Sequence, residues 1–269
     1  MHSGSPRSAY AQWNTGLSRK PTRPDKPCLK PMSASHWGRR IMTSTPTSDV
    51  SMVRLYRFLN AEFGLRSLVD KRLRVGRIEE LNDDFEFIGV ATDVRQERIA
   101  LRHTRRQLSA GNGVLCMSKG WESPLMWAHY GDSHKGMALG FDVPAKLYPA
   151  VEYVEKRPSR EEMGLDGVDN MSEATMERLI KMKAKGWEYE QEHRAFVGLS
   201  DGILLHGTEH FFVDFGPQLV LKEVIVGSRF KTQRSEVMRL VDPRVDVFMA
   251  RGDFEDFKVV RQQMESMWP

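Results

Sequence analysis

Two apolar runs that read as strands, residues 114–117 and 137–141, enclose the most crowded polar stretch of the chain, Met117–Asp142, MSKGWESPLMWAHYGDSHKGMALGFD. Rigid strands on either side hold the groups between them at a fixed spacing. Upstream, Val53–Phe58 alternates as a strand and leads into an amphipathic helix over Leu59–Lys71, with Leu59, Phe63, Leu65, Leu68 and Val69 turned inward. Residues 92–109 place Val94, Ile99, Leu101 and Leu108 among charges, as a surface helix or helix pair with a basic face of Arg98, Arg102, His103, Arg105 and Arg106. Ser123 and Pro124 mark the N-cap and first position of a short helix to Tyr130, closed by Gly131. Asn170 and Glu173 form a capping pair for a helix to about Lys185, with Met176, Leu179, Ile180 and Met182 inside. Further strands are expected at 151–154, 194–199, 211–215, 220–226, 245–249 and 257–260, with a helix near 233–240. Strands joined by turns or single helices predict one α/β (α+β) domain, a mixed sheet with peripheral helices.

Composition divides the chain at residue 51. Residues 1–51 carry eight Lys or Arg against Asp25 and Asp49, while the whole chain is only +4, so residues 52–269 are net acidic. The basic balance therefore belongs to a tail rich in Ser, Pro and Thr without apolar periodicity, expected to be disordered, and the single domain runs from 52 to 269. Met42 and Met52 offer alternative starts within or after that tail. The tail lacks the apolar core of a secretory signal, and no run approaches the apolar length of a membrane span. Cys28 and Cys116 offer no disulfide framework, so a cytoplasmic setting is expected.

Candidate chemistry gathers at three places. In Leu81–Phe87, LNDDFEF, Asn82 and Asp83 read as turn formers, with Glu86 reaching back to the start of a short helix; the same corner could face a ligand. Trp127, His129, Tyr130 and Lys135 crowd the central block. In Trp187–Arg194, WEYEQEHR, the residues Glu188, Glu190, Glu192 and Arg194 share one face of an extended chain, either around a ligand or as an ion-pair ladder on a solvated surface.

The segments LYRFL, LNDDFE, SPLMWAHYGDSHKGMALGFD, WEYEQEHR and LKEVIVG resemble, in order and spacing, the domain-of-unknown-function 2971 family of bacterial and phage-associated proteins over about residues 53–262. The chain departs from that family's pattern at Asp84, where Pro is usual. Arg57, Ser118 and the Glu190-x-Glu192 pair are in turn similar, remotely, to the Arg, Ser, Glu-x-Glu order of ADP-ribosyltransferases, including DNA-targeting toxins. This resemblance implies a split sheet, NAD as substrate, and an enzyme of bacterial defence or toxin type that cleaves the nicotinamide–ribose bond. Glu192 would then face the charge that develops on the ribose, and Glu190 would orient or deprotonate the acceptor. Arg57 would hold the pyrophosphate, Trp127 or Tyr130 would stack on nicotinamide, and Ser118 would support Glu192. Tyr56, Asn82, Asp83, His129, Lys135 and Arg194 complete the expected site. The acceptor is left open among protein, nucleic acid and water.

Two other function classes compete. His129, Asp132 and His134, with His206 and His210 at helical spacing, suggest a metal-dependent hydrolase, although HExxH and Cys-pair patterns are missing. A non-catalytic nucleotide or nucleic-acid-binding module would use the basic helix and tail. Cys116 reads as a packed residue, and Ser118 has no nucleophile-elbow pattern around it.

Overall fold

The computed structural model describes residues 51–165, 173–199, 202–205 and 208–269. The expected disordered tail and the Asn170 cap lie outside them. The fold is mixed α+β, built on a ten-stranded, mostly antiparallel sheet with few helices.

β1 (Met52–Leu59) runs into α1 (Ala61–Asp70), and β2 (Arg72–Arg77) follows. The Asn60 side chain accepts from the Phe63 N–H at 2.8 Å, a cap that contributes about 1 kcal/mol. α1 turns Gly64 and Leu68 to the core and leaves Phe63 and Val69 exposed, against the apolar pattern. The reason is close approach: a Cβ on Gly64 would stand 2.4 Å from the Met137 sulfur, so the glycine face sits down on the sheet and the helix rotates accordingly. The helix ends at Lys71 in the left-handed conformation (φ 51°), its N–H bonded to the Ser67 carbonyl. Lys71→Gly is expected to stabilise the protein by about 0.5–1 kcal/mol, because relief of the Cβ clash exceeds glycine's entropy in the unfolded chain; urea unfolding midpoints measure it.

The chain continues through α2 (Arg95–Gly111), β3 (Asn112–Ser118), α3 (Pro124–His129), β4 (Met137–Pro144) and β5 (Glu152–Val154). Then come α4 (Glu173–Lys181), β6 (Met182–Ala184), β7 (Glu192–Gly198), β8 (Ile203–Leu205), β9 (Thr208–Asp214), β10 (Val220–Val226), α5 (Arg234–Met238), β11 (Asp246–Gly252) and β12 (Val259–Arg261). Ser123 precedes α3 without a side-chain cap bond. Residue 257, expected in the last strand, is a fully exposed Phe in the loop before β12.

The sheet order is β12-β11-β10-β4-β1-β3-β2-β9-β8, with β7 also on β3. β10 and β11 pair in parallel, as do β5 and β6 in a separate two-stranded sheet. β4 is central and buried on both faces: Leu139, Phe141 and Val143 join the larger core with Leu55, Val224 and Val237, while Ala138 packs with Phe58, Trp127 and Ile225. The feature that makes the site lies next to it. β1 is registered against β4 from Met52 to Leu59 but meets β3 at one registered pair, Tyr56 and Ser118. β3 instead pairs β7 along its length and β2 at its start. The sheet opens between β1 and β3 beyond that single pair.

Candidate active site

A cavity of about 250 Å³ occupies that opening. Tyr56, Arg57 and Phe58 line it from β1, and Cys116, Met117 and Ser118 from β3; Leu81, Asn82 and Glu86 close it on one side, and Met126, Tyr130, Lys183, Glu190 and Glu192 on another.

Glu190 ends the 3-10 turn Lys185–Glu190, Gln191 reverses the chain in the left-handed conformation (φ 44°), and Glu192 starts β7. The stretch is therefore not extended throughout, and Glu188 is left in solvent. Glu190, Glu192 and Arg194 nevertheless come together with Glu86 and Lys183, each of the five at most 5% exposed. A ladder on a solvated face is thereby replaced by a buried network.

Lys183 Nζ donates to Glu190 Oε2 at 2.5 Å and to Glu192 Oε2 at 2.9 Å, and lies 3.3 Å from Glu86 Oε1. Arg194 holds Glu192 with two donors, Nε to Oε1 at 2.7 Å and Nη2 to Oε2 at 2.8 Å; Nη2 is also 2.7 Å from Glu86 Oε2. Three carboxylates thus surround two cations, a formal charge of −1. On the cavity side, Tyr130 Oη donates to Glu190 Oε1 at 2.5 Å and accepts from Asn82 Nδ2 at 2.8 Å.

The two neighbouring acids are driven apart. For Glu190, burial pushes the pKa above the ordinary carboxylate value, with Lys183 and Tyr130 opposing it. For Glu192, burial acts in the same direction, but the hydrogen bonds and charge of Arg194, with Lys183, outweigh it and hold the group at about 2. Burial also raises Glu86 against the pull of Arg194 and Lys183. Lys183, desolvated but surrounded by carboxylates, is raised and stays charged.

Of the expected site residues, Tyr56, Arg57, Asn82, Ser118, Tyr130, Glu190 and Glu192 line the one cavity. Arg57 donates through Nη1 to the Cys116 carbonyl at 2.7 Å. Tyr56 lines the wall, and burial pushes its phenol well above the ordinary range. Ser118 does not support the Glu192 side chain: its hydroxyl lies 2.7 Å from the Glu190 carbonyl and 2.8 Å from that of Gly120, fixing the turn instead. Arg194 stands behind Glu192 rather than in the cavity wall.

Four residues fall elsewhere. Trp127 is fully buried, donates to the Trp121 carbonyl at 2.7 Å and packs edge-on against Phe58, so it cannot stack on a ligand. His129 is exposed and bonded to the Tyr189 hydroxyl at 2.9 Å. Lys135 is exposed and lines no part of the cavity. Asp83 is buried behind the corner, accepting from the Phe85 N–H at 2.9 Å. Glu86 does not cap that turn but reaches into the charge network. Lys183 escapes a reading of the sequence, as does the charge-network role of Glu86, because each stands among apolar neighbours, in MKA and in FEF, where only the fold supplies counter-charges.

Among the described residues no group of three or more His, Cys, Asp and Glu is placed to hold a metal ion. His134 stacks on Trp127, and His210 lies in strand β9 rather than on a helix; His206 is outside the described residues. No helix among the described residues is long and apolar enough to cross a membrane.

A family model described as "Protein of unknown function (DUF2971)" matches residues 126–195. That span contributes Met126, Tyr130, Lys183, Glu190 and Glu192 to the cavity. No curated protein and no solved structure matches the chain.

Proposed function

We propose that the cavity binds the reacting half of NAD and that the protein cleaves the nicotinamide–ribose bond, passing ADP-ribose to an acceptor in the manner of bacterial defence or toxin ADP-ribosyltransferases. The observation that carries this reading is a pair of buried acids lining one cavity in different surroundings, Glu192 held by both donors of Arg194 and Glu190 by Tyr130 and Lys183; their pKa values are accordingly displaced in opposite directions. Such a division of two carboxylates marks one for electrostatic work and the other for proton transfer.

The roles follow from the environment. As the C1′–N bond breaks, its electron pair leaves on the nicotinamide nitrogen and positive charge develops at the ribose, as in glycoside cleavage. Glu192, ionised at any working pH, faces that charge from a site fixed by Arg194 and Lys183, so the stabilisation needs no rearrangement. Glu190, with its raised pKa, takes the proton of the attacking nucleophile as it bonds to C1′. Tyr130 fixes the Glu190 carboxylate and is itself held by Asn82, and its ring would meet the nicotinamide from the cavity wall. About 250 Å³ suits the nicotinamide riboside portion, leaving the rest of the dinucleotide outside, with Arg57 in the wall to engage a phosphate oxygen.

Calorimetric titration of NAD into the full-length protein tests this reading. Saturable binding is expected, weakened roughly 10- to 100-fold in Arg57→Ala by loss of a charge-assisted hydrogen bond. A folded protein that takes up no NAD overturns it.

A further inference from the structure

A second concavity lies on the other side of the 79–86 corner. It measures about 630 Å³ and is lined by Arg98, Arg102, Arg105 and Arg106 of α2, by Arg157 and by Phe85, with Glu79 and Asp84 its acidic members. Arg98, Arg102 and Arg105 follow one another at helical spacing on a single face, where like charges repel unless an anion lies across them. Arg105 is committed to the fold, donating to the carbonyls of Asp84 at 3.2 Å and Ile78 at 3.4 Å. Arg102 and Arg106 are exposed, and among the described residues neither has a hydrogen-bond or ion-pair partner. Phe85 is 58% exposed at the rim, with the Arg157 guanidinium over one face, 4.7 Å from the ring centroid.

We infer that this arginine face binds single-stranded nucleic acid. Unpaired guanidinium groups in a groove match a row of phosphates, and an aromatic ring beside them offers a surface on which an unpaired base stacks. An acidic peptide would satisfy the arginines but brings no planar base to Phe85. A duplex keeps its bases stacked inside. The corner also joins this groove to the cavity: Leu81, Asn82 and Glu86 line one, Glu79, Asp84 and Phe85 the other. A strand held by α2 would pass beside the two acids, which makes it a candidate acceptor; that consequence rests on the NAD reading, whereas binding itself does not.

The test is fluorescence anisotropy with the full-length protein at several salt concentrations, using short single-stranded DNA and RNA, a duplex of the same sequence and a polyglutamate peptide. The basic residues of the first 51 positions contribute equally to every variant, so differences are what count. Arg102→Ala with Arg106→Ala is expected to reduce the slope of log K against log salt by about 1.4, roughly 0.7 per lost phosphate contact. A control removing two exposed arginines outside the groove, Arg66→Ala with Arg239→Ala, should leave the slope as in the wild type. Phe85→Ala should weaken single-strand binding about 5- to 100-fold with the slope unchanged. Equal slopes in the groove and control variants overturn the inference, as does tighter binding of the duplex or of polyglutamate than of either single strand. Nicotinamide release plays no part in this readout, so failure of the NAD reading would leave its outcome standing.

Discussion

Arg194→Met is expected to destabilise the protein by about 3–5 kcal/mol, because it leaves carboxylates buried without their principal counter-charge. Methionine replaces the aliphatic stem of arginine with little loss of packing, so the effect isolates the guanidinium. Arg194 makes two hydrogen bonds to Glu192 and lies against Glu86, and it is itself 1% exposed. Without it, Lys183 alone faces three acids. Proton linkage gives the pH dependence of the loss. The depressed pKa of Glu192 supplies stability above its ordinary value of 4.5, lost as pH falls toward about 2. Glu86 and Glu190 run the other way: raised by burial, each favours the fold below 4.5 and withdraws that support as pH climbs through its folded value. In Arg194→Met the depression of Glu192 disappears and burial raises it like its neighbours. The deficit against wild type should therefore narrow as pH falls from 4.5 toward 2. Urea unfolding across that range measures both the size and the trend; a deficit under about 1 kcal/mol at neutral pH would mean the network adds little.

On the proposed NAD chemistry, Glu190→Gln is expected to lower the rate of ADP-ribose transfer by about 10²- to 10⁴-fold, the usual contribution of a positioned base, while leaving the protein folded. The pairing explains why this substitution separates chemistry from stability. Removing the Glu190 charge keeps both partners of Arg194 and leaves Lys183 with Glu86 and Glu192, whereas Glu192→Gln would strand Arg194 with Glu86 alone. The amide oxygen of glutamine can still accept from Lys183 Nζ, with its NH2 group donating to Tyr130 Oη. Since the base must be ionised to act, wild-type activity should rise with pH through a value above 4.5, the direction in which burial moves Glu190.

How the site came to be readable in part follows from individual positions. Arg57 and Ser118 sit in runs whose strand character is plain, so their placement across one gap followed from two strands being neighbours. Asn82 and Tyr130 meet because the corner and the short helix both border that gap, a contact invisible to periodicity. Trp127 misled because α3 spans six residues: too short to show an apolar stripe, it turns Met126 and Trp127 inward and Tyr130 onward to Glu190. The assignment of Phe63 and Val69 to the core failed for a different reason. A glycine in contact with Met137 sets the face of α1, and a missing side chain leaves no mark in a hydrophobic pattern. Lys183 leaves no mark at all: a lysine between two apolar residues gives no sign that three acids surround it in the fold.

The most direct measurement is nicotinamide release from NAD by the full-length protein, with single-stranded nucleic acid and protein acceptors present, beside Glu190→Gln of matched thermal stability. Release by the wild type that falls at least about 100-fold in Glu190→Gln is the expected result, with label from the adenylate half appearing on an acceptor if the enzyme is a transferase and in free ADP-ribose if water takes its place. No release above background across those acceptors, or release that is equal in the two proteins, would contradict the assignment of the Glu190–Glu192 cavity as the site of NAD cleavage.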